Sequence, residues 1–156
     1  MPLVFVVDTS PAMAQRAANG MSFLDLAKVV VADLVAKMSS QGHDTLLVTC
    51  NQPPATGHSF GGVDAVLADL RNLQPRPVFG FRQALAEAVE AVHLKREFGQ
   101  DKYGSGWDPA VVSPTTYVLI TGTTAVRSAA DLSLPLGKFA GLSAARLRWD
   151  ERIIAL

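Results

Sequence analysis

Asp8 and Ser10 are the residues whose type and spacing most suggest chemistry. They stand two positions apart, directly after the unbroken apolar run Leu3-Val4-Phe5-Val6-Val7. A carboxylate and a hydroxyl are hard oxygen donors. They suit a divalent cation such as Mg²⁺, which takes six oxygens at ~2.1 Å. A short acid in this position has a second, structural use. It can accept hydrogen bonds from the backbone amides of the turn that follows, and Ser10-Pro11 belongs to that turn. The next alternate position is Ala12, which carries no oxygen.

Other chemistries find fewer parts. An aspartate that transfers phosphate in the haloacid manner needs a second acid where Ser10 stands. An enzyme built on Asp8 would need a further acid or base near Gly122, and that stretch has none. There is no Gly-x-x-x-x-Gly-Lys-Ser loop for nucleotide phosphates and no Gly-x-Ser-x-Gly elbow for a nucleophilic serine. His43, His58 and His93 share no metal-ligand spacing, and surface positions are expected for all of them. His93 falls near a helix end, where a cationic imidazole favours the helix dipole. Cys50, the single cysteine, excludes an internal disulfide. It ends an apolar run with no histidine beside it, and so reads as a small buried hydrophobe.

The elements that must position Asp8 follow from hydrophobic spacing. Leu3 to Val7 is apolar at every residue, as in a strand of a parallel sheet buried on both faces. In such sheets the carboxyl ends of the strands are where ligands and ions bind. Ser22 reads as a helix N-cap with Asp25 at the capping-box position. The helix Phe23 to Met38 places Leu26, Val30, Leu34 and Met38 on one face, widened by Leu24, Ala27 and Val31. Gly42 ends it by supplying a positive φ. Asp44 to Cys50 is a second strand, stopped by Asn51-Gln52-Pro53-Pro54. Ala55 to Phe60 is expected as a short antiparallel edge strand. Val63 to Leu73 is a second helix with Val66, Leu67 and Leu70 inward. Gly80 to Leu94 is a third, with Ala84, Leu85, Ala88, Val89 and Val92 at helical spacing. Lys95 to Pro114 is a long polar loop, a length usually tied to function or motion. Thr116 to Thr121 is another central strand, and Ile153 to Leu156 a last one. Ala125 to Leu147 has no clear period. Alternating strands and helices give an α/β fold with a mainly parallel central sheet and helices on both faces, in three layers.

Bulk composition agrees. The 156 residues are 49% apolar and 18% charged, which suits one folded domain, residues 1–156, with a substantial core. Lys plus Arg and Asp plus Glu are 14 each, so no net field draws the chain to nucleic acid or an anionic membrane. No signal peptide or membrane span is read, and a soluble intracellular protein is expected.

Asp-x-Ser-x-Ser after such a strand opens the metal-ion-dependent adhesion site of von Willebrand factor A domains. The wider sequence resembles one branch of that fold, the N-terminal von Willebrand A domain of the Integrator complex subunit 6 family. The resemblance rests on Met1 to Arg16, on Leu24-Asp25-Leu26-Ala27-Lys28 and on Leu47-Val48-Thr49-Cys50-Asn51-Gln52-Pro53-Pro54. It continues through Leu70-Arg71-Asn72-Leu73-Gln74, Tyr103-Gly104-Ser105-Gly106-Trp107-Asp108-Pro109 and Arg148-Trp149-Asp150-Glu151-Arg152. It implies a Rossmann-like von Willebrand A domain that stops short of its last strand and helix. It also implies a non-catalytic interaction scaffold in a nuclear, multi-subunit complex. That family's role is to help recruit protein phosphatase 2A during RNA polymerase II termination and small nuclear RNA processing.

The resemblance further implies metal positions at Asp8 and Ser10. Ala12, the Val78/Phe79 region and Gly122 depart from the pattern, so the site is degenerate: one carboxylate remains, and Thr123 or Thr124 could add only a hydroxyl. No cofactor is expected, and Mg²⁺ is the one metal such a pattern would take. Tyr103 and Trp107, large amphipathic side chains in the long loop, are candidate partner contacts. The alternative is a metal-dependent ligand-binding von Willebrand A domain of another family.

Overall fold

The computed structural model describes residues 3–50, 62–76, 83–92, 114–122 and 152–156. In chain order these form β1 (Leu3–Val7), one turn of 3₁₀ helix (Pro11–Ala14), α1 (Phe23–Ser40), β2 (Thr45–Thr49) and α2 (Val63–Asn72). Then come α3 (83–92), β3 (Thr116–Ile120) and β4 (Arg152–Ala155). The strands lie in the order β2-β1-β3-β4 and every pairing is parallel. Val7 is level with Thr49 on one side and Ile120 on the other. Backbone pairing runs one residue past β4, because the Leu156 N–H donates to the Leu119 carbonyl at 2.8 Å.

Every residue of β1, β2 and β3 is buried. The reason is a helix layer on each face. Leu3, Phe5, Val7, Leu47, Val118 and Ile120 face α1 and α2, where they meet Leu24, Val31, Val35, Val66 and Leu70. Val4, Val6, Leu46, Val48, Tyr117 and Leu119 face α3, where they meet Ala84, Leu85, Ala88, Val89 and Val92. The chain is therefore the expected three-layer, Rossmann-like α/β fold. No helix among the described residues is long and apolar enough to cross a membrane.

The capping box at the start of α1 forms as its sequence spells it. The Asp25 N–H donates to Ser22 Oγ at 3.0 Å, and the Ser22 N–H and hydroxyl donate to Asp25 Oδ2 at 3.3 and 2.6 Å. These bonds, first among them the Ser22 hydroxyl, hold the Asp25 carboxyl below its ordinary pKa of 3.8. A lowered native pKa stabilises the fold above the ordinary value, and that contribution is lost as pH falls below it. Ser22→Ala is expected to cost about 1 kcal/mol in urea unfolding at pH 7. A change within about 0.2 kcal/mol would show that the cap does not hold α1.

The rotation of α1 differs from the expected one. Its fully buried residues are Leu24, Ala27, Val31 and Val35, while Val30 is 43% exposed. Leu34 and Met38 pack at the margin of the core. Three consecutive valines make neighbouring faces of this helix almost equally apolar, so periodicity alone does not choose between them. Packing against β1, β2 and α2 does. The helix closes at Gln41, and Gly42 takes φ 74° as expected. The expected edge strand Ala55 to Phe60, the loop from Lys95 and the stretch Ala125 to Leu147 lie outside the described residues.

Candidate functional site

Parallel pairing brings the carboxyl ends of β1 and β3 side by side, and Asp8 is the first residue past β1. Its N–H donates to the Ile120 carbonyl at 2.8 Å, which extends the sheet by one step and sets the carboxylate beside Thr121. Both carboxylate oxygens are engaged. The Ser10 N–H donates to Oδ1 at 2.7 Å, and the Thr121 hydroxyl donates to Oδ2 at 2.8 Å. Asp8 is 4% exposed. The first bond is the short-range turn contact that a small acid makes after a strand. The second joins the exits of two strands whose bonded residues lie 113 positions apart in sequence.

The turn continues into the 3₁₀ helix, where the Met13 N–H donates to the Ser10 carbonyl at 2.9 Å. Met13 is buried, and its Sδ accepts the Gly122 N–H at 3.0 Å. A Cβ built on Gly122 would stand 3.0 Å from that sulfur and 3.1 Å from the Phe23 ring. A carboxylate-bearing residue at 122 would therefore require both side chains to give way slightly. After α2, the Arg76 N–H donates to the Thr9 carbonyl at 2.8 Å, so this third segment also reaches the sheet edge.

A hard dication does not fit the donors described here. It would find one carboxylate that already accepts two hydrogen bonds. It would also find the Ser10 hydroxyl, which is shielded from solvent and makes no hydrogen bond. Ala12 and Gly122 add no side-chain oxygen. Among the described residues no group of three or more His, Cys, Asp and Glu could hold a metal ion. Val78, Phe79, Tyr103, Trp107, Thr123, Thr124, His58 and His93 lie outside the described residues. His43 is half-buried just after α1, and its N–H donates to the Met38 carbonyl at 3.0 Å.

Cys50 is 2% exposed at the end of β2. Burial, and then the negative charge of Asp8, push its thiol up to about 12 from an ordinary 9.0. A raised native pKa means that stability is intact below pH 9.0 and falls as pH climbs from there through about 12. Because the thiolate is the reactive form, iodoacetamide at pH 8 is expected to spare Cys50 in the folded chain and to label it once urea is added. Equal labelling rates in the two conditions would contradict this placement.

Sequence reasoning missed Thr121 as the second partner of Asp8. The available signal was register: if β1 and β3 are neighbours ending at Val7 and Ile120, the next residues, Asp8 and Thr121, must be adjacent.

No family model matches the chain. Curated relatives do. It is 33% identical over 170 residues to human "Integrator complex subunit 6-like", covering 99% of this chain and 20% of that protein. It is 33% identical over 170 residues to "Integrator complex subunit 6" of Danio rerio, covering 99% of this chain and 19% of that protein. A Dictyostelium discoideum "Integrator complex subunit 6 homolog" is 26% identical over 171 residues, with 100% of this chain and 15% of that protein covered. The chain thus spans about one fifth or less of the length of these relatives. Along its whole length, this chain resembles Integrator complex subunit 6.

Proposed function

We propose that this chain is a single von Willebrand A-type domain acting as a non-catalytic protein-interaction scaffold in an Integrator-type complex. The observation that carries this reading is the whole-chain likeness, at 33% identity, to proteins named as subunits of that complex. The geometry at Asp8 supports it. Asp8, the acid at the sheet edge among the described residues, is committed to the backbone of its own turn and to Thr121. In this reading Asp8 is a structural tie, and docking rather than catalysis is the scaffold's work. The complex is nuclear, its partners are protein subunits, and protein phosphatase 2A is the enzyme it helps to bring to RNA polymerase II during termination and small nuclear RNA processing. Tyr103 and Trp107 are proposed as partner contacts.

Affinity purification of the full-length protein from nuclear extract, with identification of co-purifying subunits, tests this. Recovery of Integrator and phosphatase subunits is expected. Recovery of extracellular-matrix or membrane proteins alone would overturn it. A metal-dependent A domain of another family is the second reading. The solvent-shielded Ser10 hydroxyl without a hydrogen bond favours it, and it requires oxygen donors beyond those at Asp8 and Ser10.

A further inference from the structure

We propose that the groove between the first turn of α1 and the exit of α2 receives an acidic segment of a protein partner. This rests on reading the chain as an interaction scaffold and names the chemistry of one contact. The groove has a volume of about 280 Å³, and its walls include Arg16, Asp25, Lys28 and Gln74. Leu24 and Leu73 also line it, but each is almost wholly buried, so the surface the groove offers is mainly polar.

The charges decide what fits. Arg16 Nη1 donates to the Gly20 carbonyl at 3.0 Å, and Lys28 Nζ donates to the Arg71 carbonyl at 3.2 Å. A carbonyl fixes the position of a cation without cancelling its charge. Both side chains are therefore held in place before a ligand arrives, which lowers the ordering cost of binding. The single acid among the lining residues, Asp25, spends Oδ2 on the Ser22 N–H and hydroxyl. Two cations thus face one carboxylate, which keeps its charge and attracts both, so the lining carries one net positive charge. The dipole of α1, an 18-residue helix starting at Phe23, adds partial positive charge at the same end.

This arrangement matches a short segment that carries one or two carboxylates. It does not match a nucleic-acid backbone. Such a polyanion is bound through many neutralised phosphates, whereas this chain carries equal numbers of acids and bases, 14 each.

The test uses the 156-residue chain and the fluorescein-labelled peptide Glu-Leu-Glu-Glu-Leu-Glu, read by anisotropy at low and physiological salt. Saturable binding that weakens as salt screens the charges is expected. The pair Arg16→Glu with Lys28→Glu should weaken it at least about tenfold. The milder pair Arg16→Gln with Lys28→Gln should weaken it about threefold or more, and serves if the reversed pair does not fold. Lys37→Glu removes a cation that pairs with Asp33 farther along the same helix, and should leave affinity within about twofold. Absence of saturation would overturn the proposal. So would an equal loss from Lys37→Glu, or tighter binding of a single-stranded RNA of equal charge. Failure here would leave co-purification of Integrator-type subunits intact, whereas failure of that co-purification with an intact titration would remove the scaffold reading alone.

Discussion

Phe5→Ala is expected to remove about 3–5 kcal/mol of folding stability. Phe5 is fully buried at the centre of β1, in register with Leu47 on one side and Val118 on the other. It belongs to the core under α1 and α2. Truncation deletes the ring's apolar area and leaves a cavity that three rigid layers can only partly close. Domains of this kind are held by roughly 5–15 kcal/mol in all, so the variant should sit near the edge of folding. Thermal unfolding should show a midpoint lowered by roughly 10 °C or more. A loss below about 1 kcal/mol in urea unfolding would mean that β1 is not the central strand.

Asp8→Ala is the second large loss, expected at about 2–4 kcal/mol. The carboxylate is buried, and its removal strands two donors, the Ser10 N–H and the Thr121 hydroxyl. Asp8→Ala breaks both bonds, whereas removing the Thr121 hydroxyl breaks one, so truncating the acid costs more. Thr121→Val takes one donor from the buried carboxylate and leaves the Ser10 bond in place, and should cost about 1–3 kcal/mol. The double variant separates the parts: a coupling energy of at least about 0.5 kcal/mol between positions 8 and 121 is expected. Strict additivity would show that the contact between the two strand exits contributes nothing.

Local features of the fold and its parallel three-layer class were legible in the sequence, and particular long-range contacts were not. The run Leu3 to Val7 specified a strand buried on both faces, and that is where β1 lies. Ser22 and Asp25 specified a capping box, and all its bonds form. The five apolar positions assigned to α3 are all buried against the sheet. Each of these signals spans only a few residues and depends on backbone geometry common to every helix or strand. The rotation of α1 was not legible, because the run Val29-Val30-Val31 offers competing faces and only tertiary packing separates them. Nor was the partnership of Asp8 with Thr121. The groove beside α1 was equally hidden, since its walls come from segments as far apart as Arg16 and Gln74. Such juxtapositions are set by strand order and register, which no short window of sequence contains. The chemistry at Asp8 was half legible: the turn contact to Ser10 follows from residue type, whereas the engagement of the second oxygen follows from topology.

Asp8 ties two strand ends together, and we propose that it ligates no metal. Calorimetric titration of the chain with Mn²⁺, run beside Asp8→Ala, tests it most directly. No saturable heat is expected from either protein, with a melting temperature unmoved by cation or chelator. A saturable Mn²⁺ isotherm in the native chain that vanishes in Asp8→Ala would contradict it.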